Sequence, residues 1–234
     1  MCKEGESMSR IAIITARGGS KRIPKKNIRE FLGKPILAYS IEAALGSGLF
    51  DEVMVSTDST EIAEIAEKFG AKIPFYRSDA TSNDYATTND VLLEVLDKYE
   101  RRGIHFDTAV CIYPTAPFVT AAKIRKAVAE FEASDADTLI PVVQFSYPPQ
   151  RALIIDQGSL RFMYPEYLDS RSQDLMPHYH DVGQFYVIRP EAFKVNKKLM
   201  IGNILPFIVD EREVQDIDNE SDWAIAEMKY KLMN

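Results

Sequence analysis

Cysteine is nearly missing from this chain. Cys2 and Cys111 are the whole supply, too little for a disulfide framework and in keeping with a reducing compartment. No apolar run approaches the roughly 20 residues that cross a bilayer, and residues 1–10 are polar, without the apolar heart of a secretory leader. The expectation is a cytoplasmic protein with no membrane partner. Histidine is scarce too: His105, His178 and His180 have no serine or cysteine nucleophile motif beside them. They read as structural or ligand-contacting rather than catalytic. Neither G-x-G-x-x-G nor the Walker spacing occurs, which argues against a dinucleotide dehydrogenase and a P-loop ATPase. Basic residues are outnumbered 28 to 35, for a net charge of -7, so the surface should repel nucleic acid.

What is present describes an alternating fold. A 46% hydrophobic share across 234 residues suffices for one sizeable α/β core. Short apolar runs at residues 11–14, 53–56, 108–113 and 138–143 read as strands. Helical stripes fall between and after them: Leu37, Ile41, Ala44 and Leu45, then Ile62, Ile65, Ala66 and Phe69. Two more follow, at Val91, Leu92, Val95 and Tyr99 and at Ile124, Ala127, Val128 and Phe131. Asp58 and Glu61 look like a capping box for the second helix, with Gly70 as its stop. This order predicts an α/β fold with a mostly parallel sheet and helices on both faces.

The rhythm breaks after Gln144. Residues 147–182 are rich in proline, tyrosine and arginine and carry a hairpin signal at Asp156-Gln-Gly158. Met163, Tyr164, Tyr167 and Leu168 need a surface to cover, so this inserted extension is expected to pack on a second copy, giving a homodimer. Strand character returns at 184–188 and 204–209, and a last helix is expected over residues 220–232. One domain therefore spans residues 8–234. Residues 1–7 read as a flexible extension, with Met8 as an alternative start.

The positive charge that exists is concentrated. The stretch Thr15-Ala-Arg-Gly-Gly-Ser-Lys-Arg-Ile-Pro-Lys-Lys-Asn27 follows the first strand, and from Arg17 onward it holds five basic residues and no acid. Paired glycines let backbone N–H groups turn toward a ligand, and the cations beside them complete a polyanion site. A solvated basic turn is the plain alternative. Position favours the ligand, because the loop leaves the first strand at the sheet edge where open α/β folds bind. A nucleoside triphosphate fits that charge.

Far downstream stands Gln215-Asp-Ile-Asp218. Carboxylates at i and i+2 of an extended segment point to one side and can share Mg²⁺ with water and phosphate oxygens; capping the last helix is the other reading. Asp58, in Ser56-Thr-Asp58, either caps a helix or faces substrate. Arg77 is either surface-solvated or, with Ala86-Thr-Thr88, part of a ligand wall. Tyr113-Pro-Thr-Ala-Pro117 leaves the third strand at the same edge.

Together these motifs resemble the cytidylyltransferases that activate nonulosonic acids, the CMP-sialic acid synthetase family, from about residue 11 to the last helix. Ala-Arg-Gly-Gly-Ser-Lys-x-x-x-x-Lys-Asn (16–27) is similar to the family's nucleotide loop. Ser56-Thr-Asp58, Pro114-Thr-x-Pro117 and Asp216-x-Asp218 fall in the family's order. Pro148-x-Gln-Arg151-Ala-Leu, Met163-Tyr-Pro-Glu-Tyr167, Arg171-Ser-Gln-Asp-Leu175 and His180-Asp-Val-Gly-Gln-Phe-Tyr186 look like those of its pseudaminic acid branch.

The resemblance implies a Rossmann-like nucleotide-diphospho-sugar transferase fold with a small dimerisation extension. It implies transfer of CMP from CTP to the anomeric hydroxyl of a nonulosonic acid. By it, Arg17, Lys21, Lys26 and Asn27 would hold the triphosphate, in a loop with Ala16, Gly18, Gly19 and Ser20. Arg77, Ala86 and Thr88 would frame the cytidine, and Asp216 and Asp218 would bind Mg²⁺. Catalysis would rest on Arg17, Lys26 and Asp218. Tyr113, Arg171, His180, Gln184, Phe185 and Tyr186 would lie around the sugar, with the extension exchanged across the homodimer. Val182-Gly183, His180 and Tyr113 stand where sialic acid synthetases generally show Asn-Gly, Arg and Gln, which turns the expected acceptor away from N-acetylneuraminic acid. N-Acetylneuraminic, legionaminic and 3-deoxy-manno-octulosonic acids stay open as alternatives. A non-catalytic CTP-binding regulator is the alternative of another kind.

Overall fold

Short β-branched runs alternating with amphipathic stripes build the elements in the order the pattern implies. The computed structural model describes residues 8–233; the expectation for residues 1–7 lies outside the described residues. The chain begins with β1 (Arg10–Thr15), the hairpin β2 (Glu30–Phe31) and β3 (Lys34–Pro35), and α1 (Ile36–Ser47). Then come β4 (Glu52–Ser56), α2 (Thr60–Lys68), the single turn α3 (Asp79–Ser82) and α4 (Thr88–Glu100). β5 (Thr108–Ile112), α5 (Ala121–Glu132) and β6 (Thr138–Gln144) lead to the extension, which holds β7 (Leu153–Asp156), β8 (Ser159–Phe162) and β9 (Tyr179–Asp181). β10 (Phe185–Ile188), α6 (Pro190–Asn196), β11 (Ile204–Ile208) and α7 (Glu220–Met233) close the fold.

The central sheet runs β11-β6-β10-β5-β1-β4. β1 pairs in parallel with β4 and β5, and β11 pairs in parallel with β6. β10 is antiparallel to both neighbours, and β9 pairs antiparallel with β6. The expected parallel sheet is thus present with two reversed strands. An apolar run marks residues 185–188 as a strand, but its direction follows from where the chain re-enters after the extension.

The chain leaves β1 through α1 to β4, then crosses back to β5 on the other side of β1. A crevice opens at such a switch point, at the carboxyl ends of the strands. On one face α1, α2 and α5 bury Leu37, Ile41, Ile62, Ala66, Ile124 and Phe131 against Ala12, Ile14, Val55 and Val110. On the other, α4 and α6 bury Val91, Leu92, Val95 and Phe193 against Ile11, Ile13, Met54 and Cys111.

Two local readings change. The second helix is capped by Ser59, whose side chain accepts from Ile62 N, and not by Asp58. A capping box does occur, at Thr87 and Asp90 of α4. In the extension hairpin Gln157 and Gly158 both take positive φ, 49° and 80°, the arrangement a two-residue turn between twisted strands requires.

A third cluster, away from the sheet, positions the site. Phe31 is fully buried and meets Tyr39, Trp223 and Tyr230 edge-on at 5.5, 5.6 and 5.6 Å. Ile23 of the basic loop and Ile217 of the acidic turn pack into the same cluster. Phe31→Ala should therefore lower unfolding free energy by about 3–5 kcal/mol, read by urea denaturation. It should also weaken anion binding by loosening both segments.

Candidate active site

At the crevice, the ends of β1 and β5, the basic loop, and the connection from Arg77 into α4 enclose a cleft of about 370 Å³. It is lined by Arg17, Ser20, Lys21, Arg22, Lys26 and Asn27 from the loop, and by Arg77, Ala86, Thr88 and Tyr113 across from it. Residues far apart in sequence thus share one wall-and-floor arrangement. Thr15, Pro114 and Thr115 also line it.

The loop is held from within. Asn27 is buried and donates from its amide to Arg17 O (2.8 Å), which closes the loop on itself. Gly18 N donates to Asp58 Oδ1 (2.8 Å), so this amide is already engaged and Asp58 serves as a loop anchor. A Cβ at Gly18 would sit 3.1 Å from Ser59 Cβ, so the loop runs close to the start of α2. Ala16 is buried, and its N–H bonds Ser56 O (3.0 Å). Gly19 is exposed, with open space around it.

The cations face carboxylates. Arg17 Nη1 lies 2.9 Å from Asp84 Oδ1, and Lys21 pairs with the other oxygen of the same carboxylate. Those two bonds hold the Asp84 carboxyl below its ordinary pKa. Arg22 Nη1 lies 2.6 Å from Asp218 Oδ2. Lys26 Nζ donates to Ile217 O (2.7 Å) and stands 3.7 Å from Asp218 Oδ1. Burial pushes the Lys26 ammonium below its usual pKa, against the pull of Asp218 and Asp216. Arg77 is anchored by bonds from its guanidinium to Ser56 Oγ and O, and burial lowers its pKa as well.

The acidic turn lies beside this cleft. Loss of solvent and the charge of Asp218 raise the Asp216 carboxyl above the usual range. Among the described residues no group of three or more His, Cys, Asp or Glu converges on a metal position. Two neighbouring carboxylates still offer the hard oxygen donors a Mg²⁺ takes, with phosphate and water to complete the shell. The N-capping alternative fails for Asp218: the turn into α7 uses Asn219 Oδ1, which accepts from Asp222 N, and Asp222, which accepts from Asp218 N and Asn219 N.

The residues expected around a sugar are not gathered here. Tyr113 lines the cleft, and Tyr186 packs behind it at 5.6 Å. Phe185 is wholly buried against Phe207, so it is a core residue with no surface for a sugar, which corrects that expectation. Gln184 is buried and donates to Glu213 O (2.6 Å). His180 meets the Phe145 ring at a tilt of 55°, with centroids 4.7 Å apart, in a separate depression with Glu211, Arg212 and Lys229. Arg171 is exposed and paired with Asp174. Neither lines the cleft of its own chain.

Asp84 was not foreseen, because no local pattern links it to a loop 63 residues away. It sits where an incoming anion would have to displace it. Asp84→Asn should tighten binding of inorganic pyrophosphate about three- to tenfold at low ionic strength, an effect that fades with salt. Titration calorimetry measures it; unchanged affinity would show that Asp84 does not compete.

Comparison with known proteins agrees with this geometry. Residues 11–159 match the cytidylyltransferase family. The chain is 39% identical over 226 residues to a pseudaminic acid cytidylyltransferase of Campylobacter jejuni, covering 96% of this chain and 97% of that one. It is 34% identical over 230 residues to a CMP-N,N'-diacetyllegionaminic acid synthase of Legionella pneumophila, covering 95% and 96%. Among solved structures, a CMP:2-keto-3-deoxy-manno-octonic acid synthetase complexed with CTP superposes with a TM-score of 0.71 at 18% identity, over 97% of this chain and 100% of that one. A cation-lined cleft at the β1 switch point, in a chain so matched, leads to one assignment: this protein belongs to the cytidylyltransferase family.

Proposed function

We propose that the chain transfers CMP from CTP to the anomeric hydroxyl of a nonulosonic acid, foremost pseudaminic acid, with release of pyrophosphate. The observation that carries the donor half is the cleft itself. Arg17, Lys21, Arg22, Lys26 and Arg77 line one cavity, and Lys26 and Arg22 both reach Asp218. The 39% likeness to a pseudaminic acid cytidylyltransferase and the motifs of the extension support the acceptor.

In this reaction the acceptor's C2 oxygen forms a bond to the α-phosphorus, the bond from that phosphorus to the bridging oxygen breaks, and pyrophosphate leaves while the hydroxyl proton passes to solvent. Lys21 and Arg17 hold the outer phosphates once these displace Asp84. Lys26, half-buried and fixed by Ile217 O, keeps its charge at the joint between the loop and the acidic turn. A charge placed there in a sheltered site acts more strongly on a developing anion than the same charge in water. Arg77, Ala86 and Thr88 frame the nucleoside. Asp216 and Asp218 would hold Mg²⁺, which when bound would offset charge on the phosphoryl groups. The exposed Leu153, Ile155, Leu160, Met163, Leu168 and Met176 of the extension form an apolar surface that a second copy covers, giving the homodimer.

A pyrophosphate-release assay with CTP and a panel of nonulosonic acids tests the proposal. Pseudaminic acid should give the highest kcat/KM. Lys26→Ala and Asp218→Ala should each lower kcat by roughly 100-fold or more, with melting temperatures close to wild type. No pyrophosphate from CTP with any of these acids would refute the reading.

The acidic turn adds a pH dependence. Asp216 is anionic above its raised pKa and neutral below it, so cation affinity falls as pH drops, from a higher pH than an ordinary aspartate would give. The Mg²⁺ concentration for half-maximal activity should rise on acidification, and Asp216→Asn should flatten that rise.

A further inference from the structure

Arg77 lines the nucleotide cleft, yet the connection that carries it holds no helix or strand between α2 and the single turn α3. Two side chains of α4 grip that connection from outside the cleft. Glu94 Oε1 accepts from Ser78 N (2.9 Å), and Glu94 Oε2 accepts from Ser78 Oγ (2.8 Å) and from Thr81 Oγ1. Lys98, one turn further along α4, bonds Glu94 Oε1 and donates to Tyr76 O (2.8 Å). The residues on either side of Arg77 are thus both held.

The Glu94 side chain is only 14% exposed. Burial alone would raise its pKa, but the bonds from Lys98, Thr81 and Ser78 outweigh burial and hold the carboxyl at about 2. It is therefore a carboxylate at neutral pH. Its charge is one of those that oppose the lowering of the Arg77 pKa by burial.

Arg77 has a second set of ties. Its N–H donates to Thr57 O (2.8 Å), and Nε and Nη2 bond Ser56, which fixes one side of the residue to the end of β4. The grip of Glu94 fixes the other side to α4, whose first turn carries Thr88 and Val91 into the same cleft. One helix therefore supplies part of the wall and the clamp that sets where Arg77 stands against it.

We infer that Glu94 is a positioning residue for the nucleoside: by gripping Ser78 it fixes Arg77 relative to Thr88 and Val91. The inference rests on the nucleotide reading above. Glu94 does not line the cleft, so it acts through Arg77 and not by contact with the ligand. The basic loop is held separately, by Asn27 and Asp58. Asp84 lies on the gripped connection, but as an acid beside Arg17 and Lys21 its loosening favours an incoming anion. The grip thus serves the nucleoside end of the cleft and not the phosphate end.

The test uses the full-length chain as wild type, Glu94→Gln, Arg77→Met and the double variant. Calorimetry measures affinity for CMP and for inorganic pyrophosphate, and pyrophosphate release gives kcat and KM for CTP at saturating pseudaminic acid. Glutamine keeps the shape of Glu94 but gives up its charge and one acceptor position. Glu94→Gln should weaken CMP binding about fivefold and raise the KM for CTP more than it lowers kcat, while pyrophosphate affinity does not fall. In the Arg77→Met background the same substitution should change CMP affinity little. A parallel loss of CMP and pyrophosphate affinity overturns the inference, because a general loosening would act on both. So does an undiminished effect once Arg77 is gone. Should Arg77→Met fail to fold, the split between the two ligands decides alone. Should Glu94→Gln fail to fold, Ser78→Ala decides: it removes one bond to Glu94 and should weaken CMP while sparing pyrophosphate, and unchanged CMP affinity there overturns the inference. Wild type that binds pyrophosphate but neither CMP nor CTP refutes the nucleotide reading and this inference with it. Wild type that binds CMP, beside a Glu94→Gln variant of equal affinity, refutes the grip alone.

Discussion

The bond from Lys26 Nζ to Ile217 O joins segments 191 residues apart, and the site exists only because they meet. On one side is a loop whose cations would otherwise spread into solvent. On the other is a turn in which burial and the charge of Asp218 raise the proton affinity of Asp216. The ammonium sits between them at the cost of partial desolvation, which its lowered pKa records. That cost is held by packing from below. Phe31, Trp223, Ile23 and Ile217 form one apolar knot, so the loop and the turn cannot separate without opening it. Arg29 adds to the same knot from outside, its guanidinium 4.5 Å over the Trp223 ring.

Four of the five cleft cations are already partnered by the protein's own carboxylates. Asp84 bridges Arg17 and Lys21, and Asp218 is shared by Arg22 and Lys26. Most of these groups are well exposed, so each pair is worth little as stability. Their value is in arrangement. Internal acids relieve repulsion among neighbouring cations, and at Arg17 and Lys21 one carboxylate satisfies both.

Much of this was legible in the amino-acid order. The alternation of apolar runs and helical stripes specifies the parallel half of the sheet, because buried strands and amphipathic helices have different periods. The loop could be placed at the ligand edge because it directly follows β1. Asp84 was illegible: it meets the loop through a connection with no regular pattern. The role of Asp58 also turned on tertiary approach. Local spacing makes it a helix cap, but the close passage of Gly18 gives it a different donor and leaves Ser59 to cap α2.

The motif Gln184-Phe-Tyr186 shows why contiguous residues do not make a contiguous site. Side chains of a strand alternate between faces. In β10, Phe185 and Val187 therefore join the core under α1, α2 and α5, while Tyr186 and Ile188 join the core under α4 and α6. Only the second face abuts the cleft, through Tyr113. A family motif read as a string predicts that all three residues touch the sugar; the pleat divides them. Tyr186 reaches the cleft only by way of Tyr113, and Phe185 does not reach it at all. Of the other residues expected around a sugar, Tyr113 lines the cleft, whereas Arg171 and His180 of the extension do not: contiguity in a motif and contiguity in space are separate properties.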